Sequence, residues 1–481
     1  MNSEREQWFS DYVNGVITPE CMTRLNALLK SDPAARREFT EHLNLDSAIA
    51  ELAAGWEEEE AVRRPRLLIA RSLIAVAACL ALMAGGWWWN SSNRTFAVVE
   101  GASGAGAWQA GMIMRGDWHQ LDAGTLSLTS ERGAHLVIEA PAEFRFESGQ
   151  RFRLKQGRLA ADVPPSAKGF TVVTPSGDAV DLGTRFGVDV PPSGAAEVHV
   201  FQGEVITRAS GGAKQSLKGG DAVVMDAGAS TARDIRSAAF IQPDEMREMS
   251  AALDSAQRSE AALKKLRDDP ALIALLDFED ISETAKHGVF RPMQGRWPGT
   301  HAPEFSQVGD HLKLNVGGDR EWPELTLAAW VRLDRVGEPY QSLLHTDGWE
   351  ASNPGQVHWM VTRHATMRLA LRGNTLPPDS DDPEGNPDSR TPVLTERGRW
   401  MHLAVTYDAS SGEVRFYLNG QLDKAGRQEV AHPARLGPAQ IGNWNRNDRR
   451  LSGRVDEMLI LGRVMSESAI RELFQAGNPY R

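Results

Sequence analysis

The chain has 481 residues, enough for roughly three domains at the usual ~100–200 residues each. A hydrophobic fraction of 41% and a charged fraction of 24% are those of folded protein and exclude wholesale disorder. The net charge of -11, spread along the chain, argues against a direct nucleic-acid partner, because phosphate binding needs a basic face.

Residues 1–66 read as a small all-α bundle. Trp8, Phe9, Tyr12 and Val13 share one face at helical spacing, and Gly15 offers a C-terminal stop. Thr18-Pro19-Glu20 combines an N-cap, a first-turn proline and a first-turn acid, and opens a helix with Leu25, Leu28 and Leu29 inward. Asp32-Pro33 repeats the start signal. So few residues bury little surface alone, so Trp8, Phe9, Leu25, Leu28 and Leu29 are candidate contacts for a partner that covers one face.

Leu67–Trp89 is the expected transmembrane helix. Its last 18 residues, from Ser72, carry no charge, which meets the length needed to span a bilayer. Trp87, Trp88 and Trp89 close it as an aromatic belt would. Arg63, Arg64 and Arg66 precede it, Arg71 sits one turn inside its N-terminal end and Arg94 alone follows closely, so the positive-inside rule puts residues 1–66 in the cytoplasm and the remainder outside. A cleaved signal peptide would place its apolar stretch much nearer the N-terminus. The cysteines are Cys21 and Cys79, so disulfides do not staple the exported part and a thiolate zinc site is excluded.

Residues 96–236 alternate apolar and polar positions in short runs, such as His135–Glu139 and Glu197–Phe201, separated by Gly, Pro and Ser; this is the texture of an all-β domain. Residues 243–268 revert to a linker helix, with Met246, Met249, Leu253, Ala256 and Leu263 near a 3-4 spacing. From 271 to 481 the pattern is β again, with Asn419-Gly420 a strong hairpin turn and a Pro- and Asp-rich loop over 374–392.

Three runs in the middle domain carry a specific pattern: Thr174-Pro175-Ser176-Gly177, then Asp181-Leu182-Gly183-Thr184-Arg185-Phe186, then Val198-His199-Val200-Phe201-Gln202-Gly203-Glu204-Val205. Ala140-Pro141-Ala142 and Gly157-Arg158-Leu159 fit it as well. In this order the domain resembles the FecR family of bacterial envelope signalling proteins. That resemblance implies a cytoplasmic helical region that binds an extracytoplasmic-function sigma factor, one membrane helix, and an outer β domain. Gln7-Trp8-Phe9 and Leu28–Pro33 are similar to the sigma-binding region, in its metal-free form. The quoted residues determine a fold and do not carry out catalysis.

The last domain is similar to laminin-G-like, concanavalin-type jelly rolls. The resemblance rests on Leu325–Arg332, Trp400–Asp408, Phe416–Gly420, Ile441-Gly442-Asn443 and Gly453–Ile460. It implies that a first strand at Leu275–Phe278 pairs with a last strand at Val455–Leu461, and that the ligand is a glycan, a protein or Ca²⁺. Trp330 and Trp400 sit in strand signatures and read as core, whereas Trp349 and Trp444 lie among Gly, Asn and Asp and are the candidates for sugar stacking. If the terminal strands pair, Glu279, Asp280 and Asp456 converge as candidate calcium ligands; the run Asp379-Ser380-Asp381-Asp382 is a weaker alternative.

Retaining glycan hydrolysis needs two carboxyls ~5 Å apart. Glu279, Asp280 and Glu283 come nearest, but Ile281 stands where the pattern needs an acid, so no catalytic residue is expected. The expected protein is a single-pass regulator of the bacterial inner membrane with a ligand-binding jelly roll facing the envelope. An envelope adhesin or structural binding protein without a sigma partner is the alternative.

Overall fold

A computed structural model of the chain describes residues 2–54, 94–242, 245–246, 248–249, 253–335, 339–351, 354–373, 386–393, 398–444 and 449–480. The expected membrane segment Leu67–Trp89 and the acidic run Asp379–Asp382 lie outside these residues. Among the described residues no helix is long and apolar enough to cross a membrane. The chain divides into two compact units, Met1–Trp88 and Trp89–Arg481.

In the first unit three helices follow one another: Asn2–Val13, Pro19–Ser31 and Pro33–Ala54. Gly15 ends the first with φ +69°, a conformation that a Cβ would penalise. Thr18 caps the second by accepting the Cys21 amide at 3.3 Å, and Asp32 accepts the Ala34 amide at 2.8 Å as the third begins. Phe9 and Leu25 fill the small core, with Phe9 packed on Phe39 at 5.1 Å between ring centroids.

The second unit is almost entirely β. Fourteen strands between Ala97 and Arg233 form one hydrogen-bonded network around a core of Leu, Val and Phe. The motif residues serve this fold. Thr174–Gly177 is the turn between strands Thr171–Thr174 and Gly177–Asp181, closed by the Thr174 hydroxyl on the Gly177 carbonyl at 2.7 Å. Asp181 then accepts the Gly183 amide at 2.7 Å and the Thr184 hydroxyl, an Asx-type turn. Gly157 has φ +122° and lies so close to Ala142 that a Cβ there would stand 2.5 Å from the alanine methyl. This contact explains why the sequence pairs Gly157 with Ala140-Pro141-Ala142.

The C-terminal jelly roll stacks an eight-stranded sheet on a six-stranded one. Leu272–Leu276 pairs antiparallel with Gly453–Leu461, matching Leu276 to Met458; the strand starts and ends earlier than Leu275–Phe278, and Phe278 turns away at φ +57°. Asn419 and Gly420, at φ +50° and +73°, make the tight hairpin between Glu413–Leu418 and Gln421–Arg427.

Strand Glu324–Leu333 is buried on both faces. Leu325, Leu327, Ala329 and Val331 point between the sheets; Ala328 and Trp330 point outward, under a second layer. That layer is the linker helix Leu253–Arg267 and the C-terminal helix Glu467–Gly477. Leu263 joins Ile470 and Leu473 over Ala328 and Leu459, while Met249 joins Phe474 and Tyr480 over Trp330 and Trp400. Both tryptophans are therefore core residues, but of this outer layer and not of the sandwich interior.

Candidate functional site

On the first unit the five candidate partner contacts separate by burial. Phe9 and Leu25 are interior, exposed by 2% and 1%, and are removed from the docking surface. Trp8, Leu28 and Leu29 stay half-buried, and Tyr12 is exposed. The two corrected residues have a common cause: a three-helix unit has a thin core, and its most central side chains are used to close it.

On the jelly roll, the two tryptophan candidates also part. Val357, Trp359 and Val361 face the sandwich interior, so His358 between them lies on the outer face of the six-stranded sheet, opposite His345 on the neighbouring strand. The two imidazoles stand 4.0 Å apart between centroids. Trp349 stacks on His358 at 3.8 Å and 18°, and Trp444 meets it edge-on at 5.0 Å. Trp349 is half-buried and offers one lip of this cluster. Trp444 is only 5% exposed; its apolar ring has been drawn in against the histidines, so it is not a free loop aromatic. Burial pushes both imidazoles well below the ordinary histidine range, and the Arg449 charge pushes the same way. Both imidazoles are fully buried, so of this cluster the half-buried Trp349 indole is the part that reaches solvent, with the Arg449 guanidinium 5.0 Å from the Trp444 ring behind it.

The three candidate calcium ligands do not form one site. Asp456 is buried and accepts the Arg296 amide at 2.9 Å. Glu279 lines the same small cleft but accepts the His301 amide at 3.3 Å. Asp280 is elsewhere engaged, capping the short helix Ile281–Thr284 through the Glu283 amide at 2.9 Å. Burial raises the Asp456 carboxyl to about 8; Arg296 opposes this and Glu457 adds to it. Among the described residues no group of three or more His, Cys, Asp or Glu is placed to hold a metal ion. Glu283 pairs with Lys286 and lies 3.5 Å from His287, so it does not face Glu279 across a sugar-sized gap.

A cluster of buried charge went unread in the sequence. It lies at the junction of the two β domains, and Glu304 is its centre. Arg158 reaches Glu304 with two bonds of 2.8 Å each, and Asp189 at 2.7 Å. Arg454 approaches Glu304 at 3.5 Å and binds Glu139 of the first β domain. Arg236, in the connecting segment, binds Asp334 at 2.6 Å and stands 3.8 Å from Glu304. Arg291 also pairs with Asp189, and Arg332 with Glu245 ahead of the linker helix. Burial alone raises the Glu304 carboxyl, but Arg158 and Arg454 outweigh it and hold it well below the usual carboxylate range. Backbone carbonyls fill remaining donor sites, with Ala239 accepting from Arg158 at 3.0 Å and Gln294 from Arg454 at 2.9 Å. A signal did exist for Arg332, which follows the largely apolar run Leu325–Val331 inside one strand, where a charge needs a partner.

This arrangement defines a modular β protein in which one β domain and a jelly roll are locked across a shared, charge-paired boundary. Residues 122–206 match the family model described as FecR protein, and residues 306–471 match the model described as concanavalin A-like lectin/glucanases superfamily. The chain therefore carries a FecR domain fused to a laminin-G-like, concanavalin-type jelly roll.

Solved structures similar to parts of it include a candidate carbohydrate-binding protein from Bacteroides ovatus, 18% identical with a TM-score of 0.27, covering 36% of this chain and 46% of that one. Another is the botulinum neurotoxin serotype D binding domain, 11% identical with a TM-score of 0.31, covering 43% and 50%. A third is a candidate anti-sigma factor from Parabacteroides distasonis, 18% identical with a TM-score of 0.22, covering 25% and 60%. The chain thus spans about half the length of the first two. No curated protein matches it.

Proposed function

We propose that the chain is a FecR-type regulator that holds an extracytoplasmic-function sigma factor on its N-terminal helices and answers a ligand on its jelly roll, without enzymatic turnover. One observation carries the reading: a FecR domain is preceded, in order, by an uncharged 18-residue segment and a three-helix unit that leaves Trp8 and Tyr12 incompletely covered. In this reading Ser72–Trp89 crosses the bacterial inner membrane, residues 1–66 are cytoplasmic and the β domains face the envelope. The ligand is a glycan or a protein surface that stacks on Trp349 beside the His345–His358 pair. The junction around Glu304 gives the ligand a mechanical route, because a force on the jelly roll is borne by the FecR domain as well.

Reporter fusions after Gly55 and after Gly211 test the topology; cytoplasmic behaviour of the first and export of the second are expected, and the reverse overturns it. Full-length chain co-expressed with each extracytoplasmic-function sigma factor of its own genome is then affinity-purified. Retention of one sigma factor supports the regulator. Retention of none leaves the envelope adhesin or structural binding protein as the better reading.

A further inference from the structure

The first edge of the FecR domain carries a surface that neither the sigma factor nor the jelly-roll ligand uses. Strand Ala97–Ser103 is paired along its length with Thr125–Ser130 on one side, but on the other only with the two-residue strand Ile113–Met114. Ala97, Val99 and Met114 turn inward to the core; Val98 and Ile113 face each other across the ladder and point outward. Val98, Met112, Ile113 and Trp118 are 39%, 44%, 53% and 44% exposed. They are four of the nine exposed large apolar side chains among the described residues after Arg94, and all lie within the first 25 of those residues. Scattered exposed apolar residues need no explanation, but a concentration does.

The loop that follows folds back towards the same edge: a Cβ on Gly116 would stand 3.6 Å from the Phe96 ring. Trp118, on that loop, has the Arg145 guanidinium 4.9 Å and the Lys155 ammonium 5.9 Å from its ring. Arg94 and Arg115 are exposed beside it. The nearby acids are Asp117, exposed next to Trp118; Glu147 and Glu143, which pair with Arg145 at 3.2 Å and Lys155 at 2.8 Å; Glu100, which takes the Thr129 hydroxyl and lies 3.7 Å from His135; and Glu131. Indole and aliphatic tips flanked by long cationic side chains, two of them also paired with glutamates, are a composition that sits at the level of lipid headgroups.

We propose that this edge is a foot that rests on the bilayer from which the chain emerges, with Met112, Ile113 and Trp118 among the headgroups and Arg94 and Arg115 on lipid phosphates. The proposal rests on the reading that Ser72–Trp89 spans the membrane. Only Asn90, Ser91, Ser92 and Asn93 separate Trp89 from Arg94, and five steps of extended chain reach at most ~18 Å. The headgroup layer is itself several ångströms deep on each side of the hydrocarbon, about 5–8 Å. The tether is thus short enough to favour contact between this edge and lipid over any partner that must diffuse to it.

The test uses the full chain with Cys21→Ser and Cys79→Ser, in nanodiscs of phosphatidylethanolamine and phosphatidylglycerol. A single nitroxide is placed at Ile113→Cys, at Val76→Cys in the apolar segment, or at Leu422→Cys on an exposed strand of the jelly roll. Collisions with oxygen and with a water-soluble nickel chelate are then measured. Loss of nickel access and gain of oxygen access at both 76 and 113, with 422 remaining open to nickel, is the expected result. A label at 113 as open to nickel as 422, while 76 is lipid-buried, overturns the foot and leaves the spanning reading intact. Protection at 113 from both reagents means a protein surface covers it, and also overturns the foot. Nickel access at 76 overturns the spanning reading, and the foot with it.

Discussion

Arg158 of the FecR domain and Glu304 of the jelly roll meet in a two-point ion pair, 2.8 Å at each oxygen, with side chains exposed by 1% and 0%. The pair joins residues 146 positions apart and has two further arginines around its carboxylate. A surface ion pair would be worth little, but removing one partner of a buried pair strands charge in the interior.

Glu304→Ala is accordingly expected to cost about 3–5 kcal/mol, because Arg158, Arg236 and Arg454 all lose a counter-charge. Calorimetry should show the FecR and jelly-roll transitions, merged in the native chain, separating in the variant. A single unshifted transition would mean that the apolar contacts of the linker, and not the charges, hold the domains together.

The same centre predicts sensitivity to acid. Glu304 and Asp189 have carboxyls depressed below their ordinary values. Their contribution is complete above the unfolded carboxylate range, near pH 4, and is lost as pH falls through the lower folded values. His345 and His358 act in the same direction at higher pH: burial depresses them, so their contribution fades as pH drops below about 6.5. Urea midpoints measured from pH 7 downwards should fall in both windows, and a flat profile would contradict the paired geometry.

Asp456 has the opposite sign. Its folded value is raised to about 8, so its contribution is full below the unfolded value and declines as pH rises towards 8. Asp456→Asn, which keeps an acceptor for the Arg296 amide, is expected to match the native chain near pH 4. It should exceed the native chain at pH 8, where the native carboxyl ionises in the interior. Equal midpoints at both pH values would remove the buried protonated carboxyl from the account.

Phe9 and Trp8 are neighbours with different expected roles. Phe9→Ala should unfold the helical unit, since losing a buried phenylalanine costs about 3–5 kcal/mol and the core is small. Trp8→Ala should leave hydrogen exchange in Pro19–Ser31 unchanged and weaken sigma-factor retention by roughly thirtyfold, the loss typical of an interface anchor. Retention unaffected by Trp8→Ala would move the partner surface to another face.

Trp349 and Trp444 are separated in the same way. Trp444→Ala should lower the unfolding midpoint, because its ring is buried against His358. Trp349→Ala should leave the midpoint nearly unchanged and abolish binding on a glycan array, if the jelly-roll ligand stacks where proposed. Binding that survives in Trp349→Ala would place the ligand elsewhere on the jelly roll.

What was legible in the sequence was set by neighbours in the chain. The helix starts at Thr18 and Asp32, the Asx turn of Asp181–Thr184 and the Asn419-Gly420 hairpin depend on backbone needs met within a few residues. The alternation that marked the strands reflects burial of one face, which also needs no distant information. Pairing of the jelly roll's terminal strands was legible only through the family resemblance, and even so its first strand begins three residues earlier than expected. Tertiary structure alone decided which aromatics are covered and which charges are paired. Trp349 and Trp444 occupy similar polar stretches, yet the His345–His358 pair, formed by two strands, draws one indole in and leaves the other at the lip. Arg158 lies in a fold motif and Glu304 in an unremarkable strand, 146 residues away. Nothing in either segment specifies the other, because the low dielectric that makes their pairing necessary exists only once the two β domains have closed over them.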